Sequence, residues 1–272
     1  MLITKGINIT KYTTDGYKTE TDVLAVEEPL EIRLAFKSGL QYIEKSISIT
    51  MRTPGNDEEL AMGFLFTEGI IDNYDQIENV QSLEENIILI KLADHVKPDI
   101  DKLKRNFYTS SSCGVCGKSS IDAIHTLTRN SSDIGTVVVH SSLLYKLPAL
   151  LRHNQDVFDQ TGGLHASALF NPEGEFLMVR EDVGRHNALD KIIGASLKNR
   201  ALPLNDHLLL LSGRASFELV QKSAMAGIVF MVAIGAPSSL AVSLAKERGM
   251  TLIGFLKSDR FNIYCGSERI KN

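Results

Sequence analysis

Apolar side chains recur at every second position over Leu30-Glu-Ile-Arg-Leu-Ala-Phe36, the period of a strand with one buried face. Ser46-Ile-Ser-Ile-Thr-Met51 repeats that alternation, and Ile87-Ile-Leu-Ile-Lys-Leu92 reads as a more deeply buried strand. Between them the spacing predicts a helix from Asp57 to Gly69. Asn56 stands at the cap position with Glu59 three residues on, as in a capping box, and Gly69 closes the helix. This half of the chain reads as strand-rich scaffold.

From about Gly135 the pattern changes to strands alternating with helices. Short apolar runs at Thr136–Val139, Ser167–Phe170, Phe176–Val179, Leu208–Leu211, Ile228–Val232 and Leu252–Leu256 predict strands. Helical spacing separates them at Leu143–His153, His186–Leu197, Phe217–Ala226 and Ser239–Arg248. Asn171-Pro-Glu-Gly174 is a turn signal that joins two strands as a hairpin. The expected fold is α/β (α+β overall): a three-layer α/β domain over residues 135–272 beside a smaller strand-rich domain over residues 1–105. The polar stretch Ala93–Ser112 is the expected connection, and helical spacing resumes over Ser120–Thr128. Residues 106–134 are read as a mobile cysteine-bearing loop and its following helix.

Lys plus Arg number 29 and Asp plus Glu 33 in 272 residues, a formal charge of −4. A mildly acidic chain without a basic run disfavours general binding to nucleic acid or anionic membranes, while leaving room for a local basic pocket. The N-terminus lacks a signal-peptide core, and apolar stretches such as Gly227–Ala236 fall short of a membrane span. A soluble cytoplasmic protein is expected. Three cysteines in a chain this long do not make a disulfide framework.

Two of them lie close together in Ser110-Ser-Ser-Cys113-Gly-Val-Cys116-Gly-Lys-Ser-Ser120. Gly114 and Gly117 loosen this loop, and a helix is expected to begin just after it. Helix-end amides and Lys118 would then favour the thiolate. Such a thiolate can attack a donor's terminal sulfur and hold it as a persulfide. A second thiol can attack the carrying sulfur and release the outer one. A zinc site is a weaker reading. It needs four ligands, and only Cys265 and a distant His125 or His165 could complete the pair. A thioredoxin-like motif would follow a buried strand, whereas the preceding Lys102–Thr109 is polar. Two surface thiols without a role are the least attractive reading.

Thr161-Gly-Gly-Leu-His-Ala-Ser167 sets a double glycine before a histidine at a strand mouth. The His-Ala pair is similar to the zinc-binding start of cytidine deaminases. Those enzymes need a Glu two residues on, where this chain has Ser167, and a later Pro-Cys-x-x-Cys. Arg180-Glu-Asp-Val-Gly-Arg-His-Asn187 and Leu211-Ser-Gly-Arg-Ala-Ser216 each lead from a strand into a helix. Small residues plus arginine at such turns can bind anions, although Arg180, Glu181, Asp182 and Arg185 could equally form an internal salt-bridge network. Neither loop matches a P-loop or a dinucleotide fingerprint. Phe261-Asn-Ile-Tyr-Cys-Gly266 could flank a purine or pterin, or could be an edge strand with Cys265 as a small buried residue.

These segments together resemble the FdhD family of sulfur carriers required for formate dehydrogenase activity. Glu28-Pro-Leu-Glu-Ile32, Met51-Arg-Thr-Pro-Gly55 and Leu60-Ala-Met-Gly-Phe-Leu65 carry the resemblance too. It implies two domains, the larger cytidine-deaminase-like, and a homodimer. It implies that sulfur comes from a cysteine desulfurase and passes to a molybdenum (or tungsten) bis-molybdopterin guanine dinucleotide cofactor. Formate dehydrogenase receives the sulfurated cofactor, and no resident metal is implied. Cys113 is then the persulfide-bearing residue and Cys116 its assisting partner. Phe261, Asn262, Ile263, Tyr264, Cys265 and Gly266 form the cofactor-binding segment, Cys265 lying where the family pattern is looser. Ser212, Gly213, Arg214, His165 and Arg185 supply the anion-binding loops, where a guanine nucleotide could sit. The competing reading is a cofactor-binding chaperone without sulfur chemistry. If helix-end amides and Lys118 stabilise the thiolate, alkylation of Cys113 should titrate below the free-thiol value of ~8.5. A midpoint at or above that value would remove the electrostatic argument.

Overall fold

The protein is described by a computed structural model over residues 2–99 and 137–272. β1 (Thr4–Thr13) and β2 (Gly16–Ala25) form an antiparallel hairpin turned at Gly16. Most of its side chains are exposed on both faces. No apolar alternation was therefore required, and the sequence pattern does not announce it. β3 (Glu28–Ser38) and β4 (Gln41–Arg52) follow as a long hairpin, and α1 (Asp57–Thr67) leads to β5 (Ile77–Glu84) and β6 (Ile87–Leu92). These four strands make one sheet in the order β4-β3-β6-β5, with only β3 and β6 parallel.

Helix α1 starts where the pattern placed it, but not by the expected capping box. Asn56 adopts a left-handed backbone (φ 57°) and its side chain makes no cap hydrogen bond. Glu59 is instead drawn to Arg180, 2.6 and 2.9 Å away, and Asp57 to the buried Arg52. Charge-assisted pairs with arginines outside the helix outcompete a local amide for these carboxylates.

The second half opens with β7 (Val139–His140), α2 (Ser141–Leu144), α3 (Leu147–His153) and α4 (Asp156–Thr161). The single helix expected over 143–153 is two, because Pro148 in the first turn of α3 cannot continue a preceding helix. β8 (His165–Phe170) and β9 (Phe176–Asp182) form the hairpin that Asn171–Gly174 signalled. Then come α5 (Arg185–Lys198), β10 (Leu208–Leu211), α6 (Phe217–Met225), β11 (Phe230–Ala233), α7 (Ser239–Glu247), β12 (Thr251–Gly254), β13 (Asn262–Cys265) and β14 (Ile270–Lys271). β14 pairs with β7. The helix expected over 120–128, the loop at 106–134 and most of the connection lie outside the described residues.

Six strands form a mixed sheet in the order β13-β12-β11-β10-β8-β9. β10, β11 and β12 run parallel, with antiparallel neighbours at both edges. Alternate side chains point to opposite faces. Leu209, Leu211, Met231 and Leu252 meet α5, α6 and α7, whereas Leu208, Leu210, Phe230 and Val232 meet α2 and α3. The three expected layers are present in the described residues.

One core runs without a break from Leu34 and Ile90 of the four-stranded sheet through Leu60 and Leu65 of α1 to Leu189 and Ile193 of α5. A helix buried nearly all round, as α1 is, sits between two layers and not on a surface. Its contact with α5 is as close as backbones permit. A Cβ on Gly63 would collide with the Asp190 carbonyl, and one on Gly194 with the Glu59 carbonyl. Gly194→Ala should therefore cost ~3 kcal/mol, since backbone cannot retreat as a side chain can. Denaturant unfolding should show a lower midpoint with an unchanged slope. A loss below ~0.5 kcal/mol would mean the two helices can separate freely.

Candidate functional site

The carboxyl ends of β9, β10, β11 and β12 and the amino ends of β8 and β13 share one edge of the six-stranded sheet. Open α/β sheets bind ligands in the crevice outside such strand ends. Ser212 donates its amide to the Ala166 carbonyl (2.9 Å), and its hydroxyl accepts the Ala166 amide (2.8 Å). This clamp sets the His165 ring against Gly213, where a Cβ would lie 3.2 Å from Nδ1. Gly235 donates to the Gly213 carbonyl (3.0 Å) and Phe255 to the Gly235 carbonyl (3.0 Å). Gly254 continues this floor, with Pro237 and the Tyr264 ring too near for any Cβ. At each of these glycines neighbouring protein atoms occupy the place of the missing side chain, so the turns after β10, β11 and β12 pack directly on one another.

The helices α5, α6 and α7 begin at this same edge, each directly after a strand. Arg185 is the first residue of α5, and its Nε is buried without a partner among the described residues. His186 Nε2 lies 3.4 Å from the Ser216 hydroxyl and 4.0 Å from Glu218. Arg214 stands exposed on the rim. Burial and the Arg185 charge push the His165 imidazole below its ordinary 6.5, with Asp182 pulling weakly the other way.

Of the residues singled out in the sequence, His165, Arg185, Ser212, Gly213 and Arg214 gather at the β8–β10 part of this edge, and Asn262 lies on the same edge four strands away from β8. Phe261 is half-buried. It packs 5.3 Å from Tyr145 against the core of the α2–α3 face. Ile263 is exposed on the edge strand β13, and Tyr264 packs on Gly254. Cys265 and Gly266 lie at the far end of β13, beside Leu252 and Thr251. Burial there pushes the Cys265 thiol up. Cys113 and Cys116 lie outside the described residues. Two features escaped the sequence reading. Gly235 occupies a third small-residue turn after a strand, a repeat of the Ser212-Gly213 pattern that was there to be found. Phe255, 44% exposed at a positive φ, is the aromatic that the end of β12 presents to solvent.

The Arg180–Asn187 loop proved to be an ion network, but its partners lie outside the loop. Arg180 pairs with Glu59, and Glu181 accepts the amides of Val157 and Phe158. Asp182, wholly buried, pairs with Lys191 at 2.8 Å. It also accepts from the amides of Thr53 (3.2 Å) and Gly184 (2.8 Å) and from Asn187 (3.1 Å). Lys191 donates further to the carbonyls of Thr53 (3.0 Å) and Glu181 (3.2 Å), and Asn187 to that of Met51 (2.8 Å). The loop that carries Arg185 is thereby stapled to the Met51–Thr53 segment. Lys191→Met would leave a buried carboxylate without its cation, at a cost of ~3 kcal/mol. Adding Asp182→Asn should recover part of that loss in a denaturation cycle. Full additivity of the two changes would show that the pair does not act as a unit.

No helix among the described residues is long and apolar enough to cross a membrane, and no cluster of metal-binding side chains occurs among them. The FdhD/NarQ family model matches residues 25–271. The chain is 48% identical to the "Sulfur carrier protein FdhD" of Streptomyces coelicolor, over 98% of this chain and 96% of that protein. It is 43% identical to the protein of the same name from Saccharolobus solfataricus, over 94% of each. A crystal structure from Desulfotalea psychrophila, assigned as a formate dehydrogenase accessory protein, superposes with a TM-score of 0.77. It is 24% identical, covers 99% of this chain and 100% of its own, and speaks for the fold alone. Family model and relatives both span nearly the whole chain, and the chain belongs to the FdhD/NarQ family.

Proposed function

We propose that this protein is a sulfur carrier in the maturation of formate dehydrogenase. It accepts persulfide sulfur from a cysteine desulfurase. It passes that sulfur to a molybdenum (or tungsten) bis-molybdopterin guanine dinucleotide before the cofactor is inserted into the enzyme. The cofactor is cargo, and no resident metal is required. The observation that carries this reading is the set of polar residues at one strand-end edge of the six-stranded sheet. His165, Arg185, Ser212, Gly213, Arg214 and Asn262 come from four separated segments and lie along the same strand-end edge of one sheet. Such a surface suits a large ligand with anionic groups and flat rings. We keep the cytidine-deaminase-like description of the sheet, the domain limits at 105 and 135, and the homodimer within the same proposal.

The chemistry assigned to the cysteines balances as thiol–disulfide exchange. The Cys113 thiolate attacks the outer sulfur of the donor persulfide. That S–S bond breaks, the donor leaves as a thiolate, and Cys113 carries the new persulfide. The Cys116 thiolate then attacks the Cys113 sulfur and expels the outer atom as hydrosulfide to the acceptor. A Cys113–Cys116 disulfide is left for a dithiol reductant.

After incubation with a desulfurase and cysteine, mass spectrometry of the wild-type chain should find one added sulfur on the Cys113 peptide. Cys113→Ala should abolish both that adduct and formate dehydrogenase activation in cells. Activation that survived the substitution would favour a chaperone that only shields and delivers the cofactor.

A further inference from the structure

The β1–β2 hairpin lies almost wholly before residue 25, where the family model begins to match. A two-stranded ribbon exposed on both faces is at best marginally stable by itself. Its root is braced by the second half of the chain. There β2 packs against α4, and a Cβ on Gly163 would meet that of Ala25 at 3.9 Å. Beside the same root lies an open groove of about 830 Å³. Its walls come from β1, from the chain joining β2 to β3, and from Glu85 in the turn between β5 and β6.

The groove joins apolar walls to an acidic margin. Leu24 stands opposite Lys5 and Ile7 opposite Asp22, which puts these four side chains on one face of the hairpin. Leu24 is 42% exposed and Leu2 79%, so the groove leaves two leucines facing water. Glu27 and Glu85 line it and form no ion pair among the described residues. Other carboxylates of this half are taken. Glu20 is held by Lys11 and Lys18, Glu31 and Glu44 by Arg33, Glu78 by Lys91 and Asp94 by Lys37. Glu28, also in the wall, reaches only to Arg52 at 3.6 Å. Against these three carboxylates the described lining sets one cation, Lys5.

We propose that this groove docks a short segment of a partner protein in which apolar side chains are interleaved with lysine or arginine. Walls this open do not enclose a small ligand. A protein segment brings apolar area enough to cover Leu2, Ile7 and Leu24, while its cations meet Glu27 and Glu85 at the margin. That is the division of an interface into an apolar centre and a polar rim of complementary charge. The seated segment also gives the hairpin root the cover it lacks. A second copy of this chain suits the groove less well, because groove-to-groove pairing about a twofold axis sets carboxylates against carboxylates. None of the residues assigned to the ligand edge or to sulfur chemistry lines the groove, so the inference goes beyond the carrier reading and does not rest on it.

The probe is a short fluorescein-labelled peptide alternating lysine with leucine, titrated into the full chain and followed by anisotropy. It should bind saturably. Peptides alternating glutamate with leucine, or lysine with glycine, should bind roughly tenfold more weakly or not at all. Glu27→Gln with Glu85→Gln should weaken the lysine–leucine peptide roughly tenfold, and Leu24→Ser roughly fivefold. Glu173→Gln with Glu247→Gln removes the same charge from the β8–β9 turn and the end of α7, and should leave binding unchanged. Circular dichroism of each variant establishes that it is folded. Amide hydrogen exchange along β1 and β2 should slow when the peptide is bound. Equal weakening by the two charge pairs would reduce the binding to general attraction and overturn the docking site. Binding that leaves exchange in the hairpin unchanged would overturn it too. Sedimentation supplies the remaining arm, since a dimer that the peptide dissociates would assign the groove to a second copy instead.

Discussion

The buried pair of Asp182 and Lys191 is the contact on which the site depends. Neither side chain reaches solvent, so each charge is tolerable only because the other, and a full set of amide and carbonyl partners, surrounds it. Through Thr53 the pair ties the end of β9 to the chain leaving β4. Through Gly184 and Asn187 it fixes the turn that delivers Arg185 to the crevice. The strand-rich first half is thus more than scaffold, because it supplies the backbone against which the ligand loop is locked.

Much of the architecture was legible because burial imposes periodicity. β6 and β10 fall on the residues their apolar runs predicted, and α5, α6 and α7 within two residues of theirs. The sheet uses both faces, so runs such as Leu208–Leu211 are apolar at every position and are hard to miss. What escaped was structure without burial, as in the hairpin β1–β2, and structure set by tertiary charge. Asn56 and Glu59 make a sound capping box on paper. Arg180, more than a hundred positions away in sequence, decides where Glu59 goes, and no local window contains that information.

The site was legible in a different way. His165, Arg185 and Ser212–Arg214 were recognisable because polar residues at strand ends have little to do in packing. Their convergence required the strand order, in which β8 lies between β9 and β10. The C-terminal segment was read less well, since an edge strand carries its residues from one end of the sheet to the other. Asn262 falls at the crevice and Cys265 at the opposite margin, although only two residues lie between them.

Helix α1 has cover on both sides, one from the four-stranded sheet completed by Leu92 and one from a helix more than a hundred residues later. During synthesis the ribosome releases the first cover long before the second. The side of α1 that bears Gly63 then waits, bare, until Arg185–Lys198 has emerged. The nascent chain carries an adhesive surface for nearly half of its translation, and the order of its elements makes that interval unavoidable.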